Sequence, residues 1–175
     1  MSTTHIALLD AAGRSEGVVG VSGLKYVSNA DVRGRLDSRA DVGYEGNVNY
    51  ETMAALQPDL VLLYGISGPS AMEAKLDELG IPYMYVGDYT EESPLGKAEW
   101  MVALGYATGA ERSADSAFTA TAERYCALMA DSANWASTPA VMINMPYNDT
   151  WYMPSTRSYQ ARLIADAGGR YIYPH

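Results

Sequence analysis

Residues 47–65 read NVNYETMAALQPDLVLLYG, and the fold follows from this stretch. Asn49 can cap a helix carrying Met53, Ala54 and Leu56. That helix must end before Pro58, because the residue preceding a proline is pushed out of the α region. Residues 59–65, DLVLLYG, then form a continuous apolar run without alternation. A parallel strand covered on both faces has this pattern.

Working outward, residues 70–79 predict a helix closed by Gly80, and residues 83–89, YMYVGDY, predict a second strand. Upstream, residues 4–12 predict a short helix with Gly13 as its stop, and residues 18–23, VVGVSG, a buried strand ending in small residues. Residues 25–46 read as a long, polar, irregular connection, which in a compact domain is functional or mobile. Strands alternate with helices over short links, so the class is α/β, a Rossmann-like lobe with a parallel sheet.

Ser93 as cap and Pro94 at the first helical position open a helix through Tyr106, with Leu95, Ala98, Val102 and Gly105 along one stripe. Residues 113–131 form the longest predicted element, with Ala114, Ala117, Phe118, Thr121, Tyr125 and Leu128 recurring at helical spacing. After Pro139 the strand period returns in residues 140–145 and 150–154, followed by a helix over 157–167 and a stop at Gly168-Gly169. The expected organisation is an N-terminal α/β lobe over 1–109, a connecting helix over 110–133, and the beginning of a second, incomplete α/β lobe over 134–175.

Composition narrows the function. The 175 residues carry 21 acidic against 12 basic side chains, a formal net charge of −9. Nucleic acid and anionic membranes both need clustered Lys and Arg, so both are excluded as expected partners. Cys126 is the sole cysteine, and His5 and His175 are the two histidines, at opposite ends. No metal site and no cofactor are expected from such a set. Residues 1–13 hold no basic region followed by an apolar one, so an exported protein would have lost its signal. Nucleophilic catalysis finds no support either, since the nucleophile elbow, the phosphate loop and the dinucleotide fingerprint are missing from the sequence. Glu99, near the start of an apolar helix, reads as a helix N-terminal anion.

Aromatic usage is lopsided: 14 Tyr and 3 Trp against one Phe. In an open parallel sheet the ligand crevice lies beyond the carboxyl ends of the strands. The loops there, residues 22–28, 64–67, 87–91 and 145–150, bring Tyr26, Tyr64, Tyr89, Tyr147, Trp151 and Tyr152 into consideration, with Tyr44 in the long connection. Together they would form a stacking cradle for a bulky planar or chelated ligand, and Arg157 would face its negative groups. A small α/β enzyme or chelatase-like protein could use the same crevice, and a direct metal ligand or base there would favour that alternative.

The motifs in combination resemble a known family, the class III periplasmic solute-binding proteins of iron-chelate and cobalamin uptake. Residues 47–65 and 76–89 resemble its Asn-x-Glu helix start, Leu-x-Pro-Asp-Leu-Val strand and following segment. ESPLGKAEWMVALGYATG at 92–109 is similar to a segment of Bacteroidetes-type members, and TWYMPSTRSYQARLIADAGGRYIY at 150–173 to the opening of their second lobe. The resemblance implies two α/β lobes joined by a rigid helix, with the ligand in the cleft between them. It implies capture of a ferric siderophore, heme or cobalamin in the periplasm, by a free or lipid-anchored protein, and delivery to an ABC permease. It also implies an acidic permease-docking residue on the first lobe, for which Glu73 is the nearby candidate. The strand that usually precedes residues 2–13 and most of the second lobe are missing from the pattern. Exposed edges and apolar faces are therefore expected to make the chain self-associate.

Overall fold

The computed structural model describes residues 3–43, 47–65 and 71–172. It divides into two compact units, Met1–Gly87 with Trp100–Asp115, and Asp88–Glu99 with Ser116–His175.

In the first unit, helix α1 (Thr3–Ala11) ends at Gly13, whose φ of 74° suits a residue without a Cβ. Helix α3 (Tyr50–Leu56) is capped by the Asn49 side chain, which accepts from the Thr52 N–H at 2.9 Å. It ends at Gln57, in the left-handed region, just before Pro58. Strand β1 (Val61–Leu63) pairs in parallel with β2 (Tyr83–Tyr85), in the register Val61 to Tyr83, and α4 (Ala71–Glu78) lies between them in sequence. This is the expected βαβ unit. Met53, Leu63 and Leu76 form its core, with Val42, Val48, Val61, Met72, Ile81 and Tyr83 packed around them.

Four expectations are corrected. Residues 18–23 do not form a strand of their own; among the described residues Val21 alone pairs, through a parallel bridge to Asp41. Ser15–Gly17 is a 3-10 turn and Gly23 has φ 77°, so extended backbone is confined to the few residues between them, and among the described residues no neighbouring edge pairs with it beyond that bridge. The connection at 25–46 is less irregular than its polarity suggests. It contains 3-10 turns at Leu24–Tyr26 and Ser38–Ala40 and a helix, α2 (Ala30–Arg35), capped by Asn29, which accepts from Val32 N–H at 2.9 Å. Buried Val32 anchors that helix, one apolar residue being too little for a periodicity signal. The second strand stops at Tyr85 rather than Tyr89, because Asp88–Thr90 tightens into a 3-10 turn.

The fourth correction concerns residues 140–154. Their extended pairings are short: β3 (Ala140–Val141) lies parallel to β6 (Arg170–Tyr171), and β4 (Pro146–Tyr147) forms a hairpin with β5 (Thr150–Trp151). Asn148 (φ 48°) and Asp149 (φ 59°) make the two-residue turn. Two successive positive φ values match the right-handed twist of the flanking strands, and Asn and Asp tolerate them.

Helix α5 (Pro94–Ala107) and helix α6 (Glu111–Ser132) each contribute residues to both units. The 22 residues of α6 span about 33 Å at 1.5 Å per residue, in agreement with the long element read from the sequence. Where they meet in the first unit, Gly105 lies so close to Ala114 that a Cβ would overlap it. Helix α7 (Tyr159–Asp166) starts two residues later than expected. Its cap is Ser158, which accepts from Ala161 N–H at 3.2 Å.

Candidate functional site

In the first unit the aromatic groups gather at the carboxyl end of the β1–β2 ladder. Tyr64 leaves β1 with its side chain partly exposed and its ring 6.0 Å from that of His5, on α1. Tyr85 ends β2 and is also exposed, edge-on to Tyr83 at 6.3 Å. Its ring lies over Gly65, where a Cβ would come within 2.7 Å of it, so that close approach requires a glycine. Tyr85 is a functional candidate that sequence reasoning missed. Its signal was the Tyr83-Met84-Tyr85 alternation, which turns adjacent strand residues to opposite faces.

Tyr26 sits on the 3-10 turn after Gly23, exposed, with Lys25 Nζ 4.8 Å from its ring centroid. The Asp41 carboxylate holds this loop. It accepts from the N–H groups of Gly23 and Leu24 at 2.9 Å and of Gly43 at 3.0 Å. Burial works against its ionisation, but the three donors outweigh that and hold its pKa below the usual carboxylate value. Asp41 was also missed, since a lone acid in a polar segment carries no distinguishing pattern. Tyr44 falls outside the described residues.

The second unit presents Tyr147, Trp151 and Tyr152 together on the β4–β5 hairpin, all exposed. The hairpin is fixed from the side: Trp151 Nε1 donates to Ile143 O at 3.1 Å, and Asn144 Nδ2 donates to Tyr152 O at 2.6 Å. Arg157 is not on that hairpin. Its guanidinium is largely exposed, 3.4 Å from the Glu92 carboxylate. Tyr89 is half-buried in the 88–90 turn. Beside it, Asp88 is buried and accepts from Lys97 Nζ at 2.6 Å, while Lys97 also lies 5.2 Å from the Tyr159 ring centroid. This ion pair binds the turn to the start of α5. The candidates therefore fall into two groups, Tyr26 and Tyr64 in the first unit, and Tyr89, Tyr147, Trp151, Tyr152 and Arg157 in the second. Glu73 lies in the first turn of α4, half-buried. Among the described residues, no group of three or more His, Cys, Asp or Glu side chains could hold a metal ion, and no helix is long and apolar enough to cross a membrane.

The family model described as periplasmic binding protein matches residues 1–175. The chain belongs to the periplasmic binding protein family. The chain is 28% identical over 188 residues to an uncharacterized lipoprotein of Methanocaldococcus jannaschii, an alignment that covers 99% of the chain and 44% of the relative. Among solved structures it is similar to the periplasmic heme-binding protein RhuT from Roseiflexus sp. RS-1 in apo form. That match has a TM-score of 0.67 at 20% identity, over 93% of this chain and 60% of that one. It is also similar to the periplasmic vitamin B12 binding protein BtuF of Vibrio cholerae, with a TM-score of 0.69 at 17% identity, over 98% and 63%. At these identities the likeness is one of fold, and the fold is that of the class III binding proteins. The chain spans less than half the length of the lipoprotein and about three fifths of the two solved chains.

Proposed function

We propose that the chain is the ligand-capturing part of an ABC importer and that its ligand is a metal chelate: a ferric siderophore, heme or cobalamin. The observation that carries this reading is the placement of exposed aromatic side chains in a family of binding proteins. Tyr64 and Tyr85 stand at the carboxyl end of the ladder in the first unit, and Tyr147, Trp151 and Tyr152 stand on one hairpin in the second. Exposed Tyr and Trp supply flat apolar area with polar tips, which suits a bulky planar or chelated ligand. Arg157, whose largely exposed guanidinium lies 3.4 Å from Glu92, is placed to pair with ligand carboxylates. Glu73 would be the permease-docking acid of the first lobe, and the setting would be periplasmic, with a lipid anchor in the manner of the lipoprotein relative.

The test is a titration with hemin, cyanocobalamin and a ferric siderophore, followed by quenching of the fluorescence that Trp135 and Trp151 report from the second unit. Saturable quenching by one of the three supports the reading. Linear quenching by all three overturns it.

A further inference from the structure

One motif in the second unit has no part in the chelate reading. Residues 148–150 read Asn-Asp-Thr, an acceptor sequence for N-linked carbohydrate, with a residue other than proline in the middle. No other asparagine in the chain has Ser or Thr two places on.

Such a motif also recurs by chance, and its place in the fold distinguishes this one. Asn148 and Asp149 are the turn residues of the β4–β5 hairpin, outside the register pairs Tyr147 to Thr150 and Pro146 to Trp151. Asn148, Asp149 and Thr150 are all exposed. Transfer to a carboxamide nitrogen needs a side chain that turns freely, because the nitrogen lone pair is delocalised into the carbonyl and has to be twisted out of conjugation. Hydrogen bonds restrict most asparagines of this chain. Asn29 and Asn49 cap helices by accepting from the N–H groups of Val32 and Thr52. Asn134 and Asn144 donate to Ala130 O at 3.0 Å and to Tyr152 O at 2.6 Å. Among the described residues, Asn148 and Asn47 make no side-chain hydrogen bond, and the residue two places after Asn47 is Asn49, which has no hydroxyl. Asn148 alone combines an unengaged carboxamide with a hydroxyl two residues on.

We propose that Asn148 is a glycosylation site, whose Nδ2 takes carbohydrate from a polyprenyl-phosphate-linked donor. The bond formed joins Nδ2 to the anomeric carbon of the first sugar. The bond broken joins that carbon to the carrier's phosphate oxygen, which leaves with the electron pair. Nδ2 gives up one proton, and nothing is oxidised or reduced. The proposal rests on the exported setting given above, where such acceptors are used. The carbohydrate leaves from the turn, while Tyr147 and Trp151 stay on the paired strands, so attachment and ligand stacking use different residues. A hydrated chain at this turn also keeps the exposed aromatic hairpin from meeting a second copy.

The test is peptide mapping of the protein purified from the cells that naturally produce it. Trypsin releases residues 125–157 as one peptide, since no Lys or Arg lies between Arg124 and Arg157. The expected result is carbohydrate on this peptide, localised by fragmentation to Asn148. Expressed in the same cells, Thr150→Ser keeps the hydroxyl and should keep the carbohydrate. Thr150→Val keeps the β-branched shape that suits a strand and should lose it, with unchanged tryptophan emission showing that the hairpin still stands. Bare Asn148 in the natural protein overturns the proposal, and so does carbohydrate that survives in Thr150→Val. The chelate titration reads the proposed function separately, so either can fail without the other.

Discussion

The two units are held together by different physics. Every buried hydrophobic residue among the described positions except Ala161 belongs to the first unit, from Ile6 and Leu9 through Leu62, Leu76 and Val86 to Leu104 and Ala114. The second unit instead shows Leu128, Trp135, Met142, Met145, Tyr147 and Tyr152 to solvent. Its order rests on polar clamps. Lys97 holds buried Asp88; Tyr125 donates to Asp166 Oδ2 at 2.7 Å; Arg162 Nε donates to Asp166 Oδ1 at 2.9 Å; and Ser132 Oγ donates to the Asp166 carbonyl at 2.8 Å. Apolar burial is non-directional and tolerates pH, whereas a carboxylate clamp depends on charge and geometry. The first unit should therefore respond to lost volume and the second to lost charge.

The largest effect should follow from Lys97→Ala, which leaves Asp88 buried without its cation. Breaking such a pair costs about 3–5 kcal/mol, and Trp135 and Trp151 fluorescence should report the loss in the second unit at lower urea than the parent. An unchanged urea midpoint would mean that packing, not charge, orders this unit. Leu76→Ala is the counterpart in the first unit. It should cost about 2–5 kcal/mol, against less than about 0.5 for Leu128→Ala on the exposed face of α6. Equal losses for the two leucines would erase the contrast.

Tyr125 sharpens the comparison through pH. Burial first, and then its hydrogen bond to Asp166, push its pKa up to about 12. The folded state thus favours the protonated phenol. The stability this contributes is fully present below the ordinary tyrosine value of about 10 and is lost as pH rises from there through 12. Tyr125→Phe should cost about 1 kcal/mol near neutral pH and flatten that alkaline decline, read from urea unfolding at pH 8 and above pH 10. A decline of the same slope in the variant would assign it elsewhere.

The smallest effects should fall on the aromatics proposed for binding. Trp151→Ala and Tyr64→Ala should each weaken chelate binding by about 0.5–1.5 kcal/mol beyond the lost contact area, with less change in stability than Leu76→Ala. Calorimetric titrations that give the parent affinity for both would remove these residues from the site.

The sequence by itself determined those elements whose signals are local. Asn49 and Pro58 bound α3, Gly168 closed α7, and the unbroken apolar run at 59–65 announced a parallel strand that β1 and β2 then paired. A cap or a proline acts on its own neighbours, so its effect is readable without knowing what lies across the fold. The aromatic candidates were likewise legible as residue types near strand ends. Tertiary structure alone decided which backbone finds a partner. Residues 18–23 carry the composition of a strand, yet among the described residues Val21 alone pairs, because a strand exists only where another edge meets it. Nothing in the sequence marks Asp41 or Asp88; the fold brings three N–H groups to one and buries the other beside Lys97. Tyr85 became a candidate only when its ring was placed over Gly65. Pairing, burial and charge compensation depend on residues distant in sequence, and only the folded chain brings them together.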